Sequence, residues 1–171
     1  MTLSVHSVVG AGLSVLARAN PLTAFVMGLF SHFVLDAIPH WDYPLKSGSG
    51  GRSAPMYEDM VIGRDFVFDL LKIIADALLG ITLVMFVFKP EFRSLADILT
   101  SGIFWGVVGG MLPDFLQFLY FKIKKEPLIA FQHFHTWIHE KEKKLNDRNI
   151  IGPALQIALI IFCIYLVPLS L

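Results

Sequence analysis

Five of the six histidines in this chain fall in two clusters. His32, Asp36 and His40 stand four residues apart within Ser31-His32-Phe33-Val34-Leu35-Asp36-Ala37-Ile38-Pro39-His40-Trp41-Asp42. His133, His135 and His139 fall within Phe131-Gln132-His133-Phe134-His135-Thr136-Trp137-Ile138-His139-Glu140. Imidazole and carboxylate are the usual ligands of zinc and similar metals. A spacing of four aligns the first set along one helical face with about 40° of drift per step. Two ligands so placed can reach one ion. Pro39 loosens the last turn, so His40 and Asp42 are expected on an exit loop. His135 and His139 share a helical face, which His133 joins only if it precedes the regular helix. The plainer alternatives are capping groups at a helix end and an interfacial helix anchored by aromatics.

Further ionisable residues extend the set. Asp65, Asp69, Lys72 and Asp76 fall within about 60° of one another on a helix and make a single polar stripe. That stripe is either an internal salt-bridge ladder or a pair of ligands, Asp65 and Asp69, with Lys72 neutralising a deeper Asp76. Asp114 follows Gly109-Gly110-Met111-Leu112-Pro113 inside an apolar run, as a ligand or as a partner for backbone groups freed by the proline. Gln117, nearly one turn on, can hydrogen-bond a ligand or substrate. His6 is isolated in sequence and is either an ordinary polar residue at a helix start or another ligand. His32, Asp36, Asp69, Asp114, His135 and His139 alone exceed the three protein ligands of a mononuclear catalytic zinc site. Two metals sharing carboxylates would use them, make a nucleophile from water at neutral pH and clamp a phosphoester in transit.

The elements that must position these groups are apolar. The chain has 171 residues, of which 55% are hydrophobic and 16% charged, too apolar for an ordinary soluble domain. Stretches such as 150–171 and 98–113 carry no charge and approach the length needed to cross about 30 Å of hydrocarbon. The expected fold is all-α: one membrane-embedded helical domain over 1–171, with about five transmembrane or partly re-entrant helices and an interfacial amphipathic helix. The apolar segments run over 3–17, 22–38, 65–88, 98–121 and 150–169. The first two are short for full spans. Between them lie a Gly- and Ser-rich stretch, 41–64, expected as a flexible loop, and a charged stretch, 122–149. Its core, 128–145, suits a helix at a membrane surface. The zero formal net charge gives no reason to expect nucleic acid as a partner. Cys163 has no internal disulfide partner and suits packing. The N-terminus lacks the basic region of a secretory signal and is expected to be retained.

Five crossings would put the N-terminus, the 41–64 loop and the 122–149 stretch on one side. That side would hold Lys46, Arg52, Arg64, Lys122, Lys124, Lys125, Lys141, Lys143, Lys144 and Arg148, and the other only Arg18, Lys89 and Arg93. Lys and Arg concentrate on the cytoplasmic side, so the first side is expected to be cytoplasmic. The six histidines, Asp36, Asp65, Asp69 and Asp114 all fall toward it.

At these residues the chain resembles the predicted membrane-bound metal-dependent hydrolases of bacteria and archaea. The similar pieces are Ser31-His32-Phe33-Val34-Leu35-Asp36, Gly110-Met111-Leu112-Pro113-Asp114 and the late histidine pair. Those proteins are described as distantly similar to zinc-dependent phospholipases C, which carry a His-x-x-x-Asp block followed closely by Pro and His. The resemblance implies that His32, Asp36 and His40 ligate metal. It covers short blocks, and their order differs: in those hydrolases the Pro-Asp block precedes the Ser-His block, whereas here it follows.

The expected function is that of a metal-dependent hydrolase of the inner membrane, its site facing the cytoplasm. Its substrate would be a lipid or other amphiphilic phosphate. The cofactor would be a divalent metal, Zn²⁺ first and Mn²⁺ or Fe²⁺ as alternatives, with one or two ions. Metal ligands would come from His6, His32, Asp36, His40, Asp65, Asp69, Asp114, His133, His135 and His139, with Lys72 and Gln117 as catalytic groups. One rival is a metal-ion transporter or metal-binding membrane protein, although transporters usually show repeats and sites near the midplane. The other is a structural or assembly factor, in which the histidines would be scattered and separately satisfied.

Overall fold

A computed structural model describes residues 1–48, 60–139 and 150–166. Among them are seven helices: α1 (Leu3–Leu16), α2 (Pro21–Asp36), α3 (Arg64–Phe88), α4 (Leu95–Thr100), α5 (Gly102–Ile123), α6 (Leu128–His139) and α7 (Ile151–Leu166). The chain is all-α, with one isolated bridge between Gly48 and Met60 among the described residues. Most of the Gly- and Ser-rich loop and the run 140–149 lie outside the described residues.

Local chemistry sets the boundaries. The Asn20 side chain accepts from the Thr23 amide at 3.0 Å, and Pro21 occupies the first turn of α2. The apolar segment expected over 98–121 divides in two. Ser94 and Asp97 form a capping box on α4, and Ser101 then caps α5 by accepting from the Phe104 amide at 3.3 Å. Helix α5 continues through Pro113. The first turn of α1 is capped from another helix: Asp76 accepts from the amides of Leu3 at 2.7 Å and Ser4 at 3.2 Å. A carboxylate there also meets the positive end of the helix dipole, worth about 0.5–2 kcal/mol.

Helices α1, α2 and α5 cross at their glycines. A Cβ added to Gly106 would stand 2.4 Å from the Gly10 carbonyl oxygen, and one added to Gly28 would stand 2.3 Å from the Gly106 carbonyl oxygen. Only residues without a Cβ let three backbones approach so closely. The contact brings the start of α1, the end of α2 and the late part of α5 to one end of the bundle. Helix α3 packs chiefly on α1, and α6 on α5. Helix α7 packs on α1, with Leu159, Ile160 and Cys163 against Met1, Val5, Val9 and Leu35.

Polarity is inverted relative to a water-soluble bundle. His6, Ser7, His32, Asp36, Asp69, Gln132 and His135 are fully buried. The exposed face of α2 carries Leu22, Val26, Phe30 and Val34 in one stripe, and α3 exposes Phe68, Leu71, Leu78 and Phe86. By length and composition α3 and α5 can cross a membrane, whereas α1, α2 and α7 are shorter apolar helices.

Candidate metal centre

The groups at that end converge on Asp36, the last residue of α2. Its Oδ2 lies 2.9 Å from His32 Nε2, 3.3 Å from His135 Nε2 and 2.9 Å from His139 Nε2. Its Oδ1 lies 3.3 Å from His6 Nε2 and 3.9 Å from His40 Nε2. Asp114, carried on α5 just past Pro113, brings Oδ1 to 3.8 Å from His32 Nε2 and 4.0 Å from His135 Nε2. Two ligand groups result. One atom from each of His32, Asp36, Asp114 and His135 fits within a mutual 4.8 Å, as does one from each of Asp36, His40 and His139. Asp36 belongs to both.

The backbone orients two of the imidazoles. Pro113 has no N–H to offer the Gly109 carbonyl, and the adjacent Gly110 carbonyl accepts from His32 Nδ1 at 2.7 Å. The Ile38 carbonyl accepts from His40 Nδ1 at 2.7 Å. With Nδ1 donating, a neutral ring turns its Nε2 lone pair inward, as carbonyl-supported metal ligands do. His32 Nε2 then faces Asp36 and, at 3.2 Å, His135 Nε2. His40 Nε2 faces Asp42 Oδ2 at 3.1 Å. Acceptors pointed at acceptors in a buried space require a proton or a cation between them. The donor set therefore suits a divalent metal of the zinc type.

A cationic group lies beside the same carboxylates. The Met1 ammonium lies 2.7 Å from Asp36 Oδ1 and 3.1 Å from Asp42 Oδ1. Burial alone would weaken it as a base, but Asp42 and Asp36 outweigh that and push its pKa up to about 11. This end of the bundle thus holds a cation against two carboxylates. Burial also holds the His139 imidazole below its ordinary pKa despite the nearby Asp36. The neutral imidazole that burial favours is the form that ligates metal.

Of the residues singled out in the sequence, His32, Asp36, His40, Asp114, His135 and His139 come together. His6 is buried beside them, its ring stacked on His32 at 3.9 Å, with neither ring nitrogen hydrogen-bonded. Gln117 and Asp114 both line a cavity of about 480 Å³ that borders the cluster. The others are placed elsewhere. His133 is exposed on the far face of α6, and Asp65 is exposed in the first turn of α3. Asp69 is buried but accepts from the amides of Lys46 at 2.6 Å and Ser47 at 2.7 Å and from Lys72 Nζ at 2.8 Å. Lys72 also donates to the Pro44 carbonyl at 3.1 Å. These two residues tie down the loop that leaves the cluster.

Two neighbours of the cluster carry little sequence signal. The Met1 amine is invisible to motif spacing. The Gln156 side chain of α7 donates to the Trp41 carbonyl at 2.5 Å and accepts from the Thr2 hydroxyl at 2.9 Å, holding the exit loop against α1. A glutamine within an otherwise charge-free apolar run was the available clue. Asp42 pairs with His40 and lines the cavity, and its place in His-x-Asp was legible.

No family model, curated protein or solved structure matches the chain, so the likeness to membrane metal-dependent hydrolases rests on the short motifs alone, and what the coordinates add is a buried His/Asp cluster able to hold a metal ion.

Proposed function

We propose that this chain is a membrane-embedded metal-dependent hydrolase that cleaves a phosphoester of a lipid or other amphiphile at the cytoplasmic face of the inner membrane. The observation that carries the reading is Asp36, shared between two ligand groups whose members Asp114 and His139 line a largely apolar cavity. The inverted polarity of the bundle supports its embedding in lipid, since buried imidazoles and acids beneath an apolar exterior mark functional sites in membranes. The excess of Lys and Arg expected on the cluster's side supports a cytoplasmic orientation.

His32, Asp36, Asp114 and His135 would hold one ion, and Asp36, His40 and His139 a second. Zinc is the first candidate, with Mn²⁺ and Fe²⁺ as alternatives. When bound, such ions supply Lewis acidity toward a phosphoryl oxygen and acidify water. The remaining work falls to side chains. The Gly110 and Ile38 carbonyls keep His32 and His40 in the tautomer that presents Nε2. Asp114, with about a quarter of its side chain exposed, faces both the cluster and the cavity and positions the head group between them. Asp42, on the cavity wall, pairs with His40 and with the Met1 ammonium and so fixes the His40 ring beside the cavity. Gln117 offers an amide to the phosphate or its leaving group.

The test is metal analysis of the purified protein together with a panel of lipid phosphoesters, for the wild type and Asp36→Asn. Turnover by the metal-loaded wild type and none by the variant is the expected result. Metal uptake into proteoliposomes with no hydrolysis of any ester would overturn the enzyme in favour of a transporter.

A further inference from the structure

We propose that one hydrocarbon chain of the substrate lies in the gap between α3 and α5, entering sideways from the bilayer, with its phosphate end at the Asp36 cluster; this rests on the hydrolase reading above. Helices α3 and α5 each pack on α1, and between them run two cavities. The first, about 480 Å³, has Asp42, Asp114, Gln117 and His139 at its polar end and Leu70, Ile74, Ala77 and Phe118 along its walls. The second, about 450 Å³, is lined by apolar residues alone, among them Ile81, Met85, Val108 and Leu112. Met111 and Phe115 line both, so the two adjoin end to end across these two flexible side chains.

Polarity along the groove is graded. Charged and hydrogen-bonding groups occur at one end, and below Met111 there are none. A phosphate amphiphile carries the same gradient: an anionic head suited to the metal ions this cluster would hold, and methylenes that need no polar partner. The length agrees as well. From Asp114 down to Ile103, α5 rises about 16 Å, close to the depth of one leaflet of a hydrocarbon core about 30 Å thick. A water-soluble phosphoester would leave this wall unused. A chain anchored in the leaflet beside the cluster would fill it without its head leaving the interface.

The probe is hexadecyl phosphate bearing a diazirine near the chain terminus, photolysed with the full-length protein in nanodiscs loaded with Zn²⁺. Label should map to α3 and α5 around Ile81, Met85 and Val108. Excess unlabelled hexadecyl phosphate should reduce it at least fivefold, and hexadecanol, which lacks the phosphate, should not. Ala77→Phe should cut labelling at least fivefold with metal content unchanged, and Met111→Trp serves if that variant does not fold. Label spread equally over the outer faces of α2 and α7, or competed equally by hexadecanol, would overturn the groove. The two claims separate cleanly. Specific labelling without turnover of any phosphoester keeps the chain site and removes the hydrolase. Turnover indifferent to Ala77→Phe, with an unlabelled groove, does the reverse.

Discussion

Asp36→Asn gives the sharpest test of the centre, because one oxygen pair serves two ligand groups. The substitution keeps the side chain's shape and removes its charge. Asp36 Oδ2 lies within 3.3 Å of three imidazole nitrogens, so both groups lose their common carboxylate together. His135→Ala removes a member of one group only, and His139→Ala a member of the other. The expected metal stoichiometries are therefore two for the wild type, none for Asp36→Asn and one for each histidine variant. Stability should follow. A ligand present at a hundred times its Kd stabilises the folded state by about 2.7 kcal/mol. For a chain of this size each kcal/mol moves Tm by about 2–4 °C, so each ion is worth roughly 5–10 °C. Melting curves in detergent, with and without a chelator, should thus differ by some 10–20 °C for the wild type, by about half that for His135→Ala or His139→Ala, and hardly at all for Asp36→Asn. The reasoning fails if Asp36→Asn retains both ions, or if each histidine variant loses both.

Gly106→Ala should destabilise by about 1–3 kcal/mol or more, since the new methyl meets the Gly10 carbonyl oxygen at 2.4 Å and neither backbone can yield cheaply; the lowered Tm should come with lost metal, because the same crossing sets His6 and His32. Metal affinity should fall as pH drops from 8 to 5, read by competition with a chromophoric chelator. Ligation needs neutral imidazoles and protons compete for the same nitrogens. His139, its pKa held low by burial, stays uncharged further into acid than an exposed histidine would. Asp69→Asn and Lys72→Met should leave metal stoichiometry intact and speed proteolysis near residues 44–48, the segment these side chains hold; a lost ion in either variant would return Asp69 to the ligand set.

How much of this was legible depends on the range of the interaction. The convergence of His32, Asp36, His135 and His139 could be anticipated because each pair follows helical periodicity and both lie at segment ends. Asp114 stood out as a charge behind a proline in an apolar helix. Asp69 shows the limit. Its stripe with Lys72 and Asp76 was visible, but the amides of Lys46 and Ser47 that claim its carboxylate belong to a loop whose path no periodicity records. Asp76 likewise caps α1 across the bundle. Nothing local in the sequence said that Gly10 and Gly28 meet the glycines of α5. The break at Ser101 was hidden because a capping hydroxyl hardly disturbs an apolar run.

The shared carboxylate also sets an order of events during synthesis. Asp36 leaves the ribosome early with His32 and His40, but Asp114 follows only after three further helices have begun, and His135 and His139 later still. No nascent chain shorter than residue 139 carries the full donor set, so metal capture is a final step that rewards only the completed bundle.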